Sequence, residues 1–257
     1  MITPSQVRQL SSQLGIDEFS IMREYLQLLV LDQLYQLKLS SQVYFKGGTA
    51  IRLLLGSARF SEDLDFDTAL SKKELAGLIA QLEKEIQREL PTSQIILLHS
   101  GPRSIRYRLR YQDKEIKYPL VIRLDLGINE EPLEPQASAL TTAFPIVIFP
   151  LINHQSPAEI LAEKITALMS RGKGRDVFDL WYLLEQGIKI EPNLVQDKFK
   201  AAGIKADPTQ LATLLAKRLD QFPPKKLEQD LGKFLPKDKK PVIELLVKRI
   251  KQHLVTL

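Results

Sequence analysis

Three carboxylates alternate with apolar residues in Asp63-Leu64-Asp65-Phe66-Asp67, shortly after the diglycine Gly47-Gly48. Alternation has period two, so on a strand the three carboxylates share one face. Like charges on one face repel, and something positive must offset them. Upstream, "VYFKGG" predicts a buried strand ending at the glycines, and "TAIRLLLG" a short helix from Thr49 closed by Gly56. Glycine permits close backbone approach, and the free amides of a helix N-terminus bind anions such as phosphate. Carboxylates two residues apart on a strand lie about 7 Å apart and can converge on a divalent cation. Such a cation can bridge polyphosphate oxygens and stabilise the charge of an in-line displacement. The chemistry predicted is transfer at a metal-bound polyphosphate, with metal as the offsetting charge. The bland alternatives are a tight strand–helix connection and a solvated acidic edge.

Other residues carry bland readings of their own. In "VIRLDLG", Asp125 shares a face with Arg123, as on a surface salt-bridging strand. Lys164 flanks the apolar stripe Ile160, Leu161, Ile165 and Leu168, as a snorkelling or exposed lysine does. Arg175 and Asp176 stand at a predicted helix start, where a carboxylate is favourable on dipole grounds alone. Arg59 and Ser61 either order the loop before the acidic strand or touch phosphate.

The elements that must position these residues follow from period and punctuation. Thr3-Pro4-Ser5-Gln6, Ser71-Lys72-Lys73-Glu74 and Ser156-Pro157-Ala158-Glu159 are helix-start signals of the capping-box kind. They predict helices over 4–14, 72–90 and 157–170, and a further helix covers 18–39. Between them "QIILLHS", "SIRYRLRYQ" and "IKYPLVIRLDLG" alternate as strands, the last two joined as a hairpin at Asp113-Lys114, and "FPIVIFP" predicts one more. After residue 156 the pattern is helical throughout, over about 175–186, 192–201, 208–219, 224–234 and 240–254. The expected organisation is an α/β domain over 1–150 and a helical domain over 151–257.

Composition narrows the chemistry. The 257 residues contain no cysteine and three scattered histidines, so a metal should be held by oxygen: magnesium, manganese or calcium. Absence of disulfides, of a long apolar run and of a secretory leader predicts a cytoplasmic protein with no membrane span. Net charge is +5, and the stretch from Lys217 to Lys251 holds eleven Lys or Arg against five Asp or Glu. That excess suits an anionic partner such as nucleic acid, although solvated helix faces give the same composition.

Gly48-Thr49, a short helix and then Asp63-Leu64-Asp65-Phe66 resemble the signature of the DNA polymerase β-like nucleotidyltransferase superfamily. The longer string "KGGTAIRLL…RFSEDLDFD", with "IRLDLG" and "ILAEKITALMSRGKGRDVFDLWYLL", resembles more particularly the AbiEii-type nucleotidyltransferase toxins of type IV toxin–antitoxin systems. The resemblance spans about 40–185. It implies an α+β fold, a polymerase β-like core with a mixed sheet followed by an all-helical C-terminal half that completes a cleft. It implies an enzyme moving NMP from an NTP to an RNA acceptor, such as a tRNA 3′ end, with Mg2+ or Mn2+, and a cognate antitoxin. By position, Asp63 and Asp65 would bind metal, and Asp125 would bind a second metal or activate the attacking hydroxyl. Gly47, Gly48 and Thr49, with Ser61, would cradle the triphosphate. Lys164 and Arg175 would meet phosphate, and Asp176 or Asp179 would complete the pocket. Lys46 departs from the apolar residue usual before the glycines, and the resemblance gives Asp67 no role. Transfer to a protein side chain or small molecule, and a non-catalytic nucleotide-binding module, remain as alternatives.

Overall fold

The computed structural model describes residues 2–114, 116, 118–207 and 210–255. The chain divides into two compact units, Met1–Gln155 and Ser156–Leu257.

The first unit is built on a seven-stranded mixed sheet of order β3-β4-β5-β2-β1-β7-β6. Its strands are β1 (Val43–Lys46), β2 (Asp63–Thr68), β3 (Gln94–Ser100), β4 (Ser104–Tyr111), β5 (Leu120–Ile128), β6 (Pro135–Ser138) and β7 (Ile152–Gln155). Two pairings are parallel, β2 with β5 and β1 with β7; the other four are antiparallel. The helices are α1 (Pro4–Leu14), α2 (Glu18–Tyr35), α3 (Gly47–Leu55) and α4 (Lys72–Glu89).

Strand alternation sorts the central sheet into two faces. Leu64 and Phe66 of β2, Ile122, Leu124 and Leu126 of β5, and Ile105, Tyr107 and Leu109 of β4 are buried. Phe45 and Phe66 pack across β1 and β2 with ring centroids 5.5 Å apart, a contact worth about 0.5–1.5 kcal/mol beyond area burial. The residues between them point to the opposite face, which carries the acids. α2 is buried nearly all round, as a central helix must be. Its Tyr35 hydroxyl lies 3.1 Å from the Val43 carbonyl and 2.8 Å from that of Asn153, reaching β1 and β7 together. Burial raises the Tyr35 pKa well above its ordinary value, so it remains a neutral donor.

The capping boxes at Thr3 and Ser71 form, and α1 and α4 begin at the residues that follow them. Other expectations are corrected. α2 stops at Tyr35, because Leu37 turns extended and a 3-10 turn, Lys38–Gln42, takes over. "FPIVIFP" is not a strand; β6 and β7 flank it instead, and Val147 and Phe149 are exposed there. An apolar run carries no periodicity, so it could not reveal that the pairing belongs to its neighbours.

The second unit is all-helical: α5 (Pro157–Ser170), α6 (Gly174–Glu185), α7 (Pro192–Ala201), α8 (Leu211–Leu219), α9 (Pro224–Leu231) and α10 (Leu246–Leu254). The expected start at 208 lies outside the described residues, as does Lys117 of the expected strand. The helix expected over 240–254 is broken into a 3-10 stretch, Lys237–Glu244, and α10.

Candidate active site

In the first unit the parallel pairing of β2 with β5 sets Asp63 beside Arg123, Asp65 beside Asp125 and Asp67 beside Gly127. The antiparallel pairing of β1 with β2 sets Lys46 beside Asp65. Partners across a ladder share a face, so Asp63, Asp65, Asp67 and Asp125 lie on one side of the sheet.

α3 begins at Gly47, two residues earlier than its sequence suggested, and no side chain caps it. Gly47 has φ +78°, a conformation that disfavours any side chain, and a Cβ there would collide with the Asp65 carboxylate. A Cβ on Gly48 would collide with the Arg59 guanidinium and lie 3.3 Å from Ser61 Oγ. The glycines therefore let a helix N-terminus approach a carboxylate, a buried arginine and a serine hydroxyl. The first-turn amides of a helix have no partner within it, and here they adjoin Asp65.

Neighbouring side chains fix this corner. The Thr49 hydroxyl donates to the Asp63 carbonyl, which ties α3 to β2. Gln27 of α2 donates to the Ser61 carbonyl at 3.1 Å. Arg52 grips Glu24 through two hydrogen bonds of 2.8 and 3.1 Å and lies 3.8 Å over the Phe60 ring. Burial raises the Glu24 pKa, against the lowering influence of Arg52. Arg59, 2% exposed, donates to the Phe60 carbonyl, so it orders the loop before β2.

Asp63, Asp125 and Asp67 each meet a cation. Arg123 reaches Asp63 with Nε and Nη2 at 2.8 and 2.5 Å, and that contact raises the arginine's already high pKa. Arg106 pairs with Asp125. Lys46 Nζ lies 2.6 Å from Asp67 Oδ1, and Gln155 donates to Asp67 Oδ2 at 2.7 Å. Asp67 is 2% exposed. It is an internal counter-ion to Lys46, which explains both the extra acid and the lysine before the glycines. Lys46 and Arg106 were not singled out as partners from sequence, and Arg123, set on a face with Asp125, reaches Asp63 instead. The alternation of "SIRYRLRY" did place its arginines on one face, but only the ladder says what lies opposite. No local signal connects Gln155 to Asp67.

Oxygen donors at Asp63 and Asp65 suit a hard cation. Among the described residues no three acidic, histidine or cysteine side chains converge into a metal cage. Mg2+ does not require one, since it commonly takes one or two carboxylates with water and substrate phosphates. The glycine lets the first turn of α3 close on the Asp65 carboxylate, and a carboxylate beside helix amides that can take phosphate fits a nucleotide-borne cation.

The remaining sequence-derived residues lie in the second unit and cluster there. Lys164 Nζ of α5 is 2.7 Å from Asp179 Oδ2 and 3.9 Å from Asp176 Oδ1. Asp176 also accepts from Arg171 at 3.2 Å and from the Lys173 amide at 3.3 Å, as a carboxylate at the third helical position can. Both aspartates are buried and Lys164 is 8% exposed. Arg175 is half-buried over the Phe234 ring at 5.2 Å.

Residues 29–249 match the family described as nucleotidyl transferase AbiEii toxin, type IV TA system. No curated protein matches. Among solved structures, the chain is similar to MenT4, a nucleotidyltransferase toxin from Mycobacterium tuberculosis H37Rv, at 18% identity and a TM-score of 0.62, covering 100% of this chain and 91% of that one. It is also similar to JHP933 from Helicobacter pylori, at 21% identity and a TM-score of 0.53, covering 94% and 95%. These likenesses establish the nucleotidyltransferase fold. The match over most of its length makes the chain a member of the AbiEii nucleotidyltransferase toxins of type IV toxin–antitoxin systems, an NTP-using enzyme with an antitoxin as its counterpart.

Proposed function

We propose that this enzyme transfers a nucleoside monophosphate from an NTP to the 3′ end of an RNA, such as a tRNA, in the cytoplasm, with Mg2+ or Mn2+ held by Asp63 and Asp65. The observation that carries the reading is the uncapped N-terminus of α3 at Gly47-Gly48, set against Asp65 on the face that also holds Asp63 and Asp125. The cation supplies charge neutralisation at the phosphate oxygens. The first-turn amides at Gly47, Gly48 and Thr49, with Ser61, hold the triphosphate. The acceptor hydroxyl oxygen bonds to the α-phosphorus as the bond to the bridging α–β oxygen breaks. Pyrophosphate leaves with that electron pair, and the hydroxyl proton passes to Asp125 or to water. Lys164, Arg175, Asp176 and Asp179 are assigned to the nucleotide on family resemblance. Their own packing supports a positioning role equally, because Lys164 already has Asp179 as a close partner.

Incubation with each α-labelled NTP, Mg2+ and total RNA tests the proposal. Label should appear on RNA, and be lost with Asp65→Asn. Label on protein or on a small molecule instead would refute the RNA acceptor while keeping the enzyme class.

A further inference from the structure

The face that holds the carboxylates does not end with them. β4 contributes Arg106, Arg108 and Arg110 at every second position. The ladder places Arg106 beside Asp125, Arg108 beside Arg123 and Arg110 beside Val121. One cross-sheet row therefore reads Ile96, Arg108, Arg123, Asp63, and the next reads His99, Arg106, Asp125, Asp65. Four arginines form a continuous patch from the acids towards the exposed edge strand β3.

Two of them are balanced locally, Arg123 by Asp63 and Arg106 by Asp125. The other two are not. Among the described residues Arg108 makes no ion pair, and its buried Nε has no acceptor; Arg110 donates to the neutral Gln112. Uncompensated, partly buried guanidinium groups call for an anion. Spacing indicates which kind. Alternate residues on a strand are about 7 Å apart, comparable to successive phosphates along an extended nucleic-acid strand. Guanidinium forks match phosphate oxygens in pairs.

We infer that Arg106, Arg108 and Arg110, with Arg123, form a track for the sugar–phosphate backbone of a single RNA strand, leading its 3′ end to Asp63 and Asp65. This rests on the RNA-acceptor reading above and assigns the acceptor to the sheet rather than to the lysine-rich C-terminal helices.

The test is binding of a short fluorescent single-stranded RNA of mixed sequence, without NTP, across a series of salt concentrations. Arg108→Glu/Arg110→Glu should weaken binding at least about tenfold at low salt. Arg108→Gln/Arg110→Gln, the milder pair, should flatten the plot of log affinity against log salt by about 1.4, near 0.7 for each lost phosphate contact. Binding of a fluorescent NTP and the melting temperature of the Gln pair should match the parent. RNA affinity and salt slope equal to the parent in both pairs would overturn the track, even with label transfer to RNA intact. So would a slope that responds only to neutralising Lys225, Lys226, Lys239 and Lys240. If the parent binds no RNA and labels none, the acceptor reading itself fails and the track falls with it.

Discussion

The acid–base cluster on the sheet and the one in the helical unit contain the same chemical groups in opposite states. On the sheet, Asp63 and Asp125 are half-buried and meet arginines whose side chains are 45–47% exposed. In the helical unit, Lys164, Asp176 and Asp179 are closed in by their helices and satisfy one another. Exposed pairs contribute little and open readily; buried pairs are costly to break because the survivor is stranded without water. The sheet pairs can therefore open without large cost, whereas the helical cluster is built to keep its shape.

The largest effect separating the two should be functional. Asp63→Ala or Asp65→Ala should reduce nucleotidyl transfer by at least about a hundredfold, the scale of losing one group that stabilises developing charge. For Asp63→Ala, stability should change by less than about 1 kcal/mol in urea unfolding. Parent-like transfer in either variant would break the contrast at its functional end. The reverse profile is expected for Asp179→Ala, which strands Lys164 and should lower stability by about 3–5 kcal/mol. A melting temperature equal to the parent's would mean the helical cluster is not the closed unit it is taken for. Lys164→Ala should in addition raise the NTP concentration needed for half-maximal transfer if the family role of Lys164 holds.

Smaller effects sharpen the comparison. Arg123→Ala releases Asp63 and should tighten Mn2+ binding, followed by electron paramagnetic resonance, by up to about fivefold, equivalent to an exposed pair of about 1 kcal/mol. The weakest expected effect is on pH dependence. His154 of β7 is buried between the Gln155 carbonyl and Ser138 Oγ, at 2.7 and 2.9 Å. Burial lowers its pKa below 6.5, against the raising influence of the Gln155 carbonyl. Below pH 6.5 the unfolded chain then binds a proton that the folded one resists, so stability should decline as pH falls from 6.5 through the depressed folded value. His154→Gln should remove that part of the slope in unfolding measured between pH 7 and 5.

Much of this was legible because the relevant signals are local. Capping residues at Thr3, Ser71 and Ser156 fixed three helix starts, and the alternation of Asp63, Asp65 and Asp67 put them on one face. What escaped depends on pairing between distant strands. The offset of three acids by metal alone was too simple, since Arg123 lies beside Asp63 only through a parallel ladder spanning 60 residues of sequence. Asp67 looked surplus because its partners, Lys46 and Gln155, come from other strands. β6 and β7 escaped because four-residue strands have too little sequence to show a period.

The hydrogen bond from Gln155 to Asp67 has a consequence for synthesis. It closes a span of 88 residues, and β7, which carries Gln155, pairs beside the strand that ends at the glycines. A chain still being translated lacks that neighbour until Gln155 has left the ribosome. Until then Asp67 lacks its amide donor and β1 is an open sheet edge. A growing chain thus carries Asp63, Asp65 and Asp125 before the strand that covers the open edge of β1 exists.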